Sequence, residues 1–145
     1  MNPIHHRIKD STILIVDDDP VGRRAIRRWL QREEWDVQEV DCGKDALTKA
    51  AHLRPDLVLL DLMLPDIHGH EVCHRLNQDP RTKDIPIFVV TGAINEQSQL
   101  NALHAGADDW IQKPFNGHVL LARVRNLLMR HHTEQENRRL AAELA

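Results

Sequence analysis

The chain has 145 residues, 41% hydrophobic and 28% charged, with a net charge of −3 and only 3% aromatics. That balance suits one soluble domain with a core of Leu, Ile, Val and Ala. It excludes a membrane span of roughly 18–20 apolar residues, a secretory signal in Met1-Asn2-Pro3-Ile4-His5-His6-Arg7 and a disulfide or four-thiolate scaffold from Cys42 and Cys73. Short, β-branched apolar runs then alternate with longer segments of helical spacing. The runs are Thr12–Val16, Trp35–Val40, Asp56–Leu60, Ile85–Val90 and Asp109–Ile111. Continuous ones such as Ile13-Leu14-Ile15-Val16 and Leu57-Val58-Leu59-Leu60 predict strands buried on both faces, whereas Trp35–Val40 alternates as an edge strand does. Between them, Pro20 opens a helix carrying Ala25, Ile26, Trp29 and Leu30. Gly43–Leu53 carries Ala46, Leu47 and Ala50 before Pro55. Gly69–Asn77 carries Val72, Cys73 and Leu76. Asn95 caps a helix with Leu100 and Leu103 that Gly106 ends, and a last helix runs from about Asn116 through Leu128.

Strict alternation of strand and helix predicts an α/β fold: a five-stranded parallel sheet, doubly wound and flavodoxin-like, in the order 2-1-3-4-5 with helices on both faces. Ligands of such sheets bind beyond the carboxyl ends of the strands. Strand one ends in Asp17-Asp18-Asp19, strand three in Asp61, strand four in Thr91-Gly92, and strand five runs into Lys113-Pro114. Strands one and three are neighbours, so Asp17, Asp18 and Asp61 converge. Clustered carboxylates repel unless a cation joins them, and hard oxygen ligands suit Mg²⁺. With the Lys113 ammonium and the Thr91 hydroxyl, the set becomes an anion-stabilising site fit for phosphoryl transfer, with Asp61 as the nucleophile that becomes an aspartyl phosphate. Singly, each piece has a bland reading: a solvated acidic loop, a helix cap, a strand-end threonine. Their meeting on one face is the signal.

These segments, Ile13 through Asp19, Leu59-Leu60-Asp61-Leu62-Met63-Leu64-Pro65-Asp66 with Gly69, Val89-Val90-Thr91-Gly92 and Gly106 through Phe115, resemble the receiver domain of bacterial two-component response regulators. The resemblance covers roughly residues 11–131, leaving 1–10 as a polar N-terminal segment and 132–145 as a helical extension or linker. It implies that Asp61 accepts a phosphoryl group from the phosphohistidine of a sensor histidine kinase or phosphotransfer protein. It further implies that Asp17, Asp18, Asp61 and the Met63 backbone carbonyl hold Mg²⁺, that Thr91 and Lys113 contact the phosphoryl oxygens, and that Lys113-Pro114 is cis. Trp110 takes the place of the family's switch Tyr or Phe, and the responsive surface is helix four, strand five and helix five, read by a downstream protein or output domain. Met63 and Ala93 occupy the family's two positions that govern hydrolysis, and with no polar group at either a long-lived phosphoprotein is expected. The setting is cytoplasmic, with no membrane and no direct nucleic acid. Homodimerisation through the switch face or the tail is left open.

Other readings differ in class. A phosphorylation-independent interaction module would keep the fold without using the acidic pocket. An aspartate-nucleophile phosphohydrolase needs a second Asp two residues after Asp61, where Met63 stands. His68, His70, Cys73 and His74 invite a zinc reading against the plainer one of an exposed turn and helix face. His131-His132 read as basic groups near a helix end, and Trp29 and Trp35 as core or sheet-edge packing. The tail from Thr133, rich in helix formers with Leu140 and Leu144 on one stripe, is either a solvated end or a helix continuing toward a partner.

Overall fold

The computed structural model describes residues 8–92 and 95–144. Ala93 therefore lies outside the described residues, as do 1–7 of the N-terminal segment. In chain order the elements are β1 (Thr12–Val16), α1 (Pro20–Gln31), β2 (Asp36–Val40), α2 (Gly43–Leu53), β3 (Leu57–Leu60), α3 (Gly69–Gln78), β4 (Ile87–Thr91), α4 (Glu96–Ala105), β5 (Asp109–Gln112) and α5 (Gly117–Leu144). The sheet has the order β2-β1-β3-β4-β5 with every pairing parallel, as the alternation predicts.

The two-residue period of the strands divides the core. Ile13, Ile15, Leu57, Leu59, Phe88 and Val90 face α1 and α5, meeting Ile26, Leu30, Leu120, Val124 and Leu128. Leu14, Val16, Val58, Leu60, Ile87 and Val89 face the other way, onto Ala46 and Ala50 of α2, Val72 and Leu76 of α3 and Ala102 of α4. Trp35 is buried beside Ile8, and Trp29 packs half-buried against the first of these cores.

Strand limits shift from the sequence reading for local reasons. Trp35 precedes β2, whose first residue Asp36 donates its N–H to the Ser11 carbonyl at 2.9 Å. Ile85 and Pro86 precede β4: Pro86 has no N–H to give, and its carbonyl accepts from Val58 N at 3.0 Å. β5 gains Gln112, paired with Thr91.

One expectation is corrected. His131 and His132 are not basic groups at a helix end. α5 runs on for 28 residues to Leu144, and both histidines are buried, at 5% and 8% exposure. The apolar stripe Val124, Leu127, Leu128 continues through them at three- and four-residue steps, so they face the body of the domain. His132 Nε2 lies 3.0 Å from the buried Ser11 Oγ.

Candidate functional site

The carboxyl ends of β1, β3, β4 and β5 meet on one rim of the sheet. Asp17 follows β1 directly, its N–H donating to the Val40 carbonyl at 3.2 Å, and Asp61 follows β3, its N–H donating to the Val16 carbonyl at 2.9 Å. The ladder thus carries both carboxylates to the same edge. Asp19 turns the chain into α1: its side chain caps Val21 N, and its own N–H donates to Asp17 Oδ1 at 2.9 Å. Lys113 N donates to the Thr91 carbonyl at 3.0 Å, which locks the β5 exit to the β4 exit. The Lys113-Pro114 peptide is cis.

Lys113 is the hub. Its Nζ donates to Asp17 Oδ2 at 2.6 Å and to Asp61 Oδ2 at 3.1 Å. Asp61 Oδ1 accepts from Met63 N at 3.1 Å, so both acceptor oxygens are held. Asp17 is fully buried, Asp61 is 8% exposed and Thr91 0%, whereas Asp18 is exposed. Burial pushes the Asp17 carboxyl above its ordinary range, outweighing the hydrogen bonds from Lys113 and Asp19. Burial pulls on Lys113 in the opposite sense, but its bonds to Asp17 and Asp61 prevail and hold the ammonium above its ordinary value. The lysine is therefore firmly charged beside a buried Asp17 carboxyl whose desolvation its bonds only partly offset.

Carboxylate oxygens of Asp17, Asp18 and Asp61 lie within 4.8 Å of one another. Three hard anionic donors facing one ammonium fit a divalent oxygen-loving cation such as Mg²⁺. The Met63 side chain is 57% exposed and takes no part; only its backbone borders the site. Trp110, expected as a switch residue, is half-buried on the α2–α3–α4 side of the sheet. Every charged or hydroxyl residue expected at the site thus stands on the same rim.

Three contributors were not legible beforehand. Arg23, one turn into α1, donates from Nη1 to the Asp17 carbonyl at 2.7 Å and steadies the acidic loop; nothing in an Arg-rich helix singles it out. Gly22 brings α1 close: a Cβ there would stand 3.0 Å from Asp17 Oδ2 and 3.3 Å from Lys113 Nζ. Asp66 caps α2 from the loop after β3, accepting from Gly43 N and Lys44 N at 2.8 Å each. Those bonds hold its carboxyl down at about 2.

The four residues of the zinc reading do not converge. His70 turns its Nδ1 to within 2.9 Å of His68 Nδ1, while Cys73 is buried and donates its thiol to the Ala105 carbonyl. Burial, reinforced by the Asp108 charge, pushes that thiol up to about 12. At pH 8 the native protein is therefore expected to react with a thiol reagent at the half-buried Cys42 first. Cys73 should lag by at least a hundredfold until denaturant is added, because the thiolate is the reactive form. Equal labelling of both in the native state would contradict this burial.

Comparison with known proteins agrees with the geometry. The family described as the response regulator receiver domain matches residues 13–125. The DNA-binding dual master transcriptional regulator RpaA of Synechocystis is 43% identical over 81% of this chain, but over only 49% of its own length. Among solved structures, a CheY-like receiver domain protein from Methanospirillum hungatei superposes with a TM-score of 0.81 at 29% identity, covering 86% of this chain and 98% of that one. The receiver domain of the sensor histidine kinase PA1611 from Pseudomonas aeruginosa, with magnesium coordinated in its active-site cleft, gives 0.77 at 27% identity, covering 82% and 98%. The chain belongs to the response regulator receiver domain family. It spans about half the length of curated relatives it matches, and no helix among the described residues is long and apolar enough to cross a membrane.

Proposed function

We propose that the protein is a phosphorylation-controlled signalling switch with Asp61 as phosphoacceptor. The observation that carries this is Lys113 Nζ bonded at once to Asp17 and Asp61: a fixed cation at the mouth of a carboxylate that is buried yet reachable. An Asp61 oxygen attacks the phosphorus of a phosphohistidine on a sensor kinase or phosphotransfer protein. The O–P bond forms as the P–N bond breaks, and the electron pair returns to the imidazole, which takes up a proton. Lys113 and the Thr91 hydroxyl donate to the phosphoryl oxygens, where charge develops. Asp17, Asp18, Asp61 and the Met63 carbonyl would hold Mg²⁺, which when bound supplies the positive charge that lets a phosphate approach three carboxylates.

Phosphorylation then acts by favouring one of two conformations already available. Thr91 is drawn toward the phosphoryl group, Trp110 repacks behind it, and the face formed by α4, β5 and α5 changes. α4 itself exposes Leu100 and Leu103, which gives a downstream protein or output domain an apolar handle. The receiver body comprises residues 11–131, with 132–145 as a helical extension or linker, in a cytoplasmic setting. The domain catalyses only its own phosphoryl gain and loss.

Intact mass after incubation with Mg²⁺ and acetyl phosphate tests the proposal. The expected result is one added phosphoryl group in wild type, lost in Asp61→Asn and on chelation. No addition to a folded wild type, with a known receiver labelled in parallel, would replace it with the phosphorylation-independent interaction module.

A further inference from the structure

At the opposite end of the sheet from Asp61 lies a second cluster of titratable groups that the phosphoryl chemistry does not use. His131 and His132 sit side by side on α5, ring centroids 5.6 Å apart. Their Nε2 atoms stand 3.7 and 3.9 Å from Asp56 Oδ1. Asp56 Oδ2 accepts from Thr12 N at 2.8 Å, so the carboxylate belongs to the base of the sheet. His132 reaches Ser11 just before β1. One helix is thereby held to the bases of β1 and β3. Past His132, α5 has no buried residue among those described. There Arg138 pairs with Asp84 at 3.0 Å, a solvent-exposed contact that contributes little.

We propose that His131, anchored beside His132, is a proton-operated clamp that holds the C-terminal part of α5 on the base of the domain when its imidazole is uncharged and releases it when that imidazole is charged. Two cavities give protons access to His131. One, of about 240 Å³, is lined by Lys83, Asp84, Asp108, Arg130, Glu134 and Arg138. The other, toward Arg54, Arg81 and Gln135, also borders it. The charges facing His131 are thus mixed in sign, and the nearest anion, Asp56, is already engaged with the backbone of β1. Burial therefore wins, and the docked imidazole resists protonation despite Asp56. A released imidazole titrates near its ordinary value of about 6.5. The released state therefore binds more protons below that pH, so docking is at full strength above it and weakens as pH falls through it. The clamp is independent of Asp61 and of any phosphoryl donor.

Amide hydrogen exchange on the intact chain at pH 7.5 and 5.5, corrected for intrinsic rates, tests it. Protection of amides in residues 129–140 is expected to fall at least fivefold at the lower pH, while β4 amides keep theirs. His131→Gln, which keeps an N–H donor and cannot titrate, should show less than a twofold pH effect in the same segment. Asp56→Asn, lacking the compensating carboxylate, should release at a higher pH than wild type. Protection in wild type that does not change with pH overturns the clamp. So does an undiminished pH effect in His131→Gln. Should that variant fail to fold, an Asp56→Asn transition that is unmoved or shifted to lower pH overturns it equally.

Discussion

Lys113→Met is expected to slow phosphoryl incorporation from acetyl phosphate by two to three orders of magnitude, the usual loss when one donor to a developing anion is removed. It should also lower stability in metal-free buffer at pH 7 by about 2–3 kcal/mol, less than for a fully enclosed pair. Lys113 keeps 23% of its side chain exposed, whereas Asp17 keeps 1%. Without the ammonium, Asp17 and Asp61 face each other across the cavity it occupied. A carboxyl held above its ordinary value, as Asp17 is, gains native-state stability when pH falls and a proton is taken up. The stability gap between variant and wild type should therefore narrow between pH 7 and about pH 4.5. Thermal melts across that range and a time course of intact mass measure both effects. A gap independent of pH would mean that the two acids do not depend on this lysine. A wild-type labelling rate would remove Lys113 from the reaction.

Gly69→Ala is expected to cost about 2–3 kcal/mol by overpacking, or roughly 4–12 °C in Tm for a chain of this length. α3 begins against the end of the acceptor strand: Gly69 N donates to the Leu62 carbonyl at 2.9 Å. A Cβ on Gly69 would stand 2.4 Å from Leu62 Cα and 2.8 Å from the Asp61 carbonyl oxygen. These are backbone atoms and cannot rotate away, so helix and strand end must separate, moving Asp61 relative to Lys113. Phosphoryl incorporation should drop along with stability. Gly92→Ala is the control, because a Cβ there meets nothing within 4 Å. Equal melting of the two variants would show that the contact at Gly69 relaxes without cost.

Much of this was legible in the sequence because the relevant forces are local and periodic. Runs such as Ile13-Leu14-Ile15-Val16 must be buried on both faces, and parallel strands with right-handed crossovers leave few orders. The strand ends then bring Asp17, Asp61, Thr91 and Lys113 to one rim. What escaped depends on distance or on residue type masking a pattern. Asp66 caps a helix 22–23 positions earlier in the chain, and no local signal marks it. His131 and His132 continue the stripe of Leu127 and Leu128, but a polar name hid positions whose spacing was apolar. Pro86 was read by hydropathy as strand, although a residue without an N–H belongs at its threshold.

The loop from Asp61 to Gly69 is tethered at both ends and in its middle. Asp61 N is bonded to Val16, Gly69 N to Leu62, and the Asp66 side chain to the first two amides of α2. Such a segment has few soft degrees of freedom, so a load placed on Asp61 meets a stiff wall on the β3 side. The roomier side is the opposite one, just past Thr91, where a Cβ on Gly92 would meet nothing within 4 Å. The molecule is built asymmetrically about Asp61, tightly tethered on the β3 side and roomier beside Gly92. In the switch proposed for this domain, mechanical work done at the carboxylate would thereby be steered toward α4 and β5 rather than toward α2 and α3.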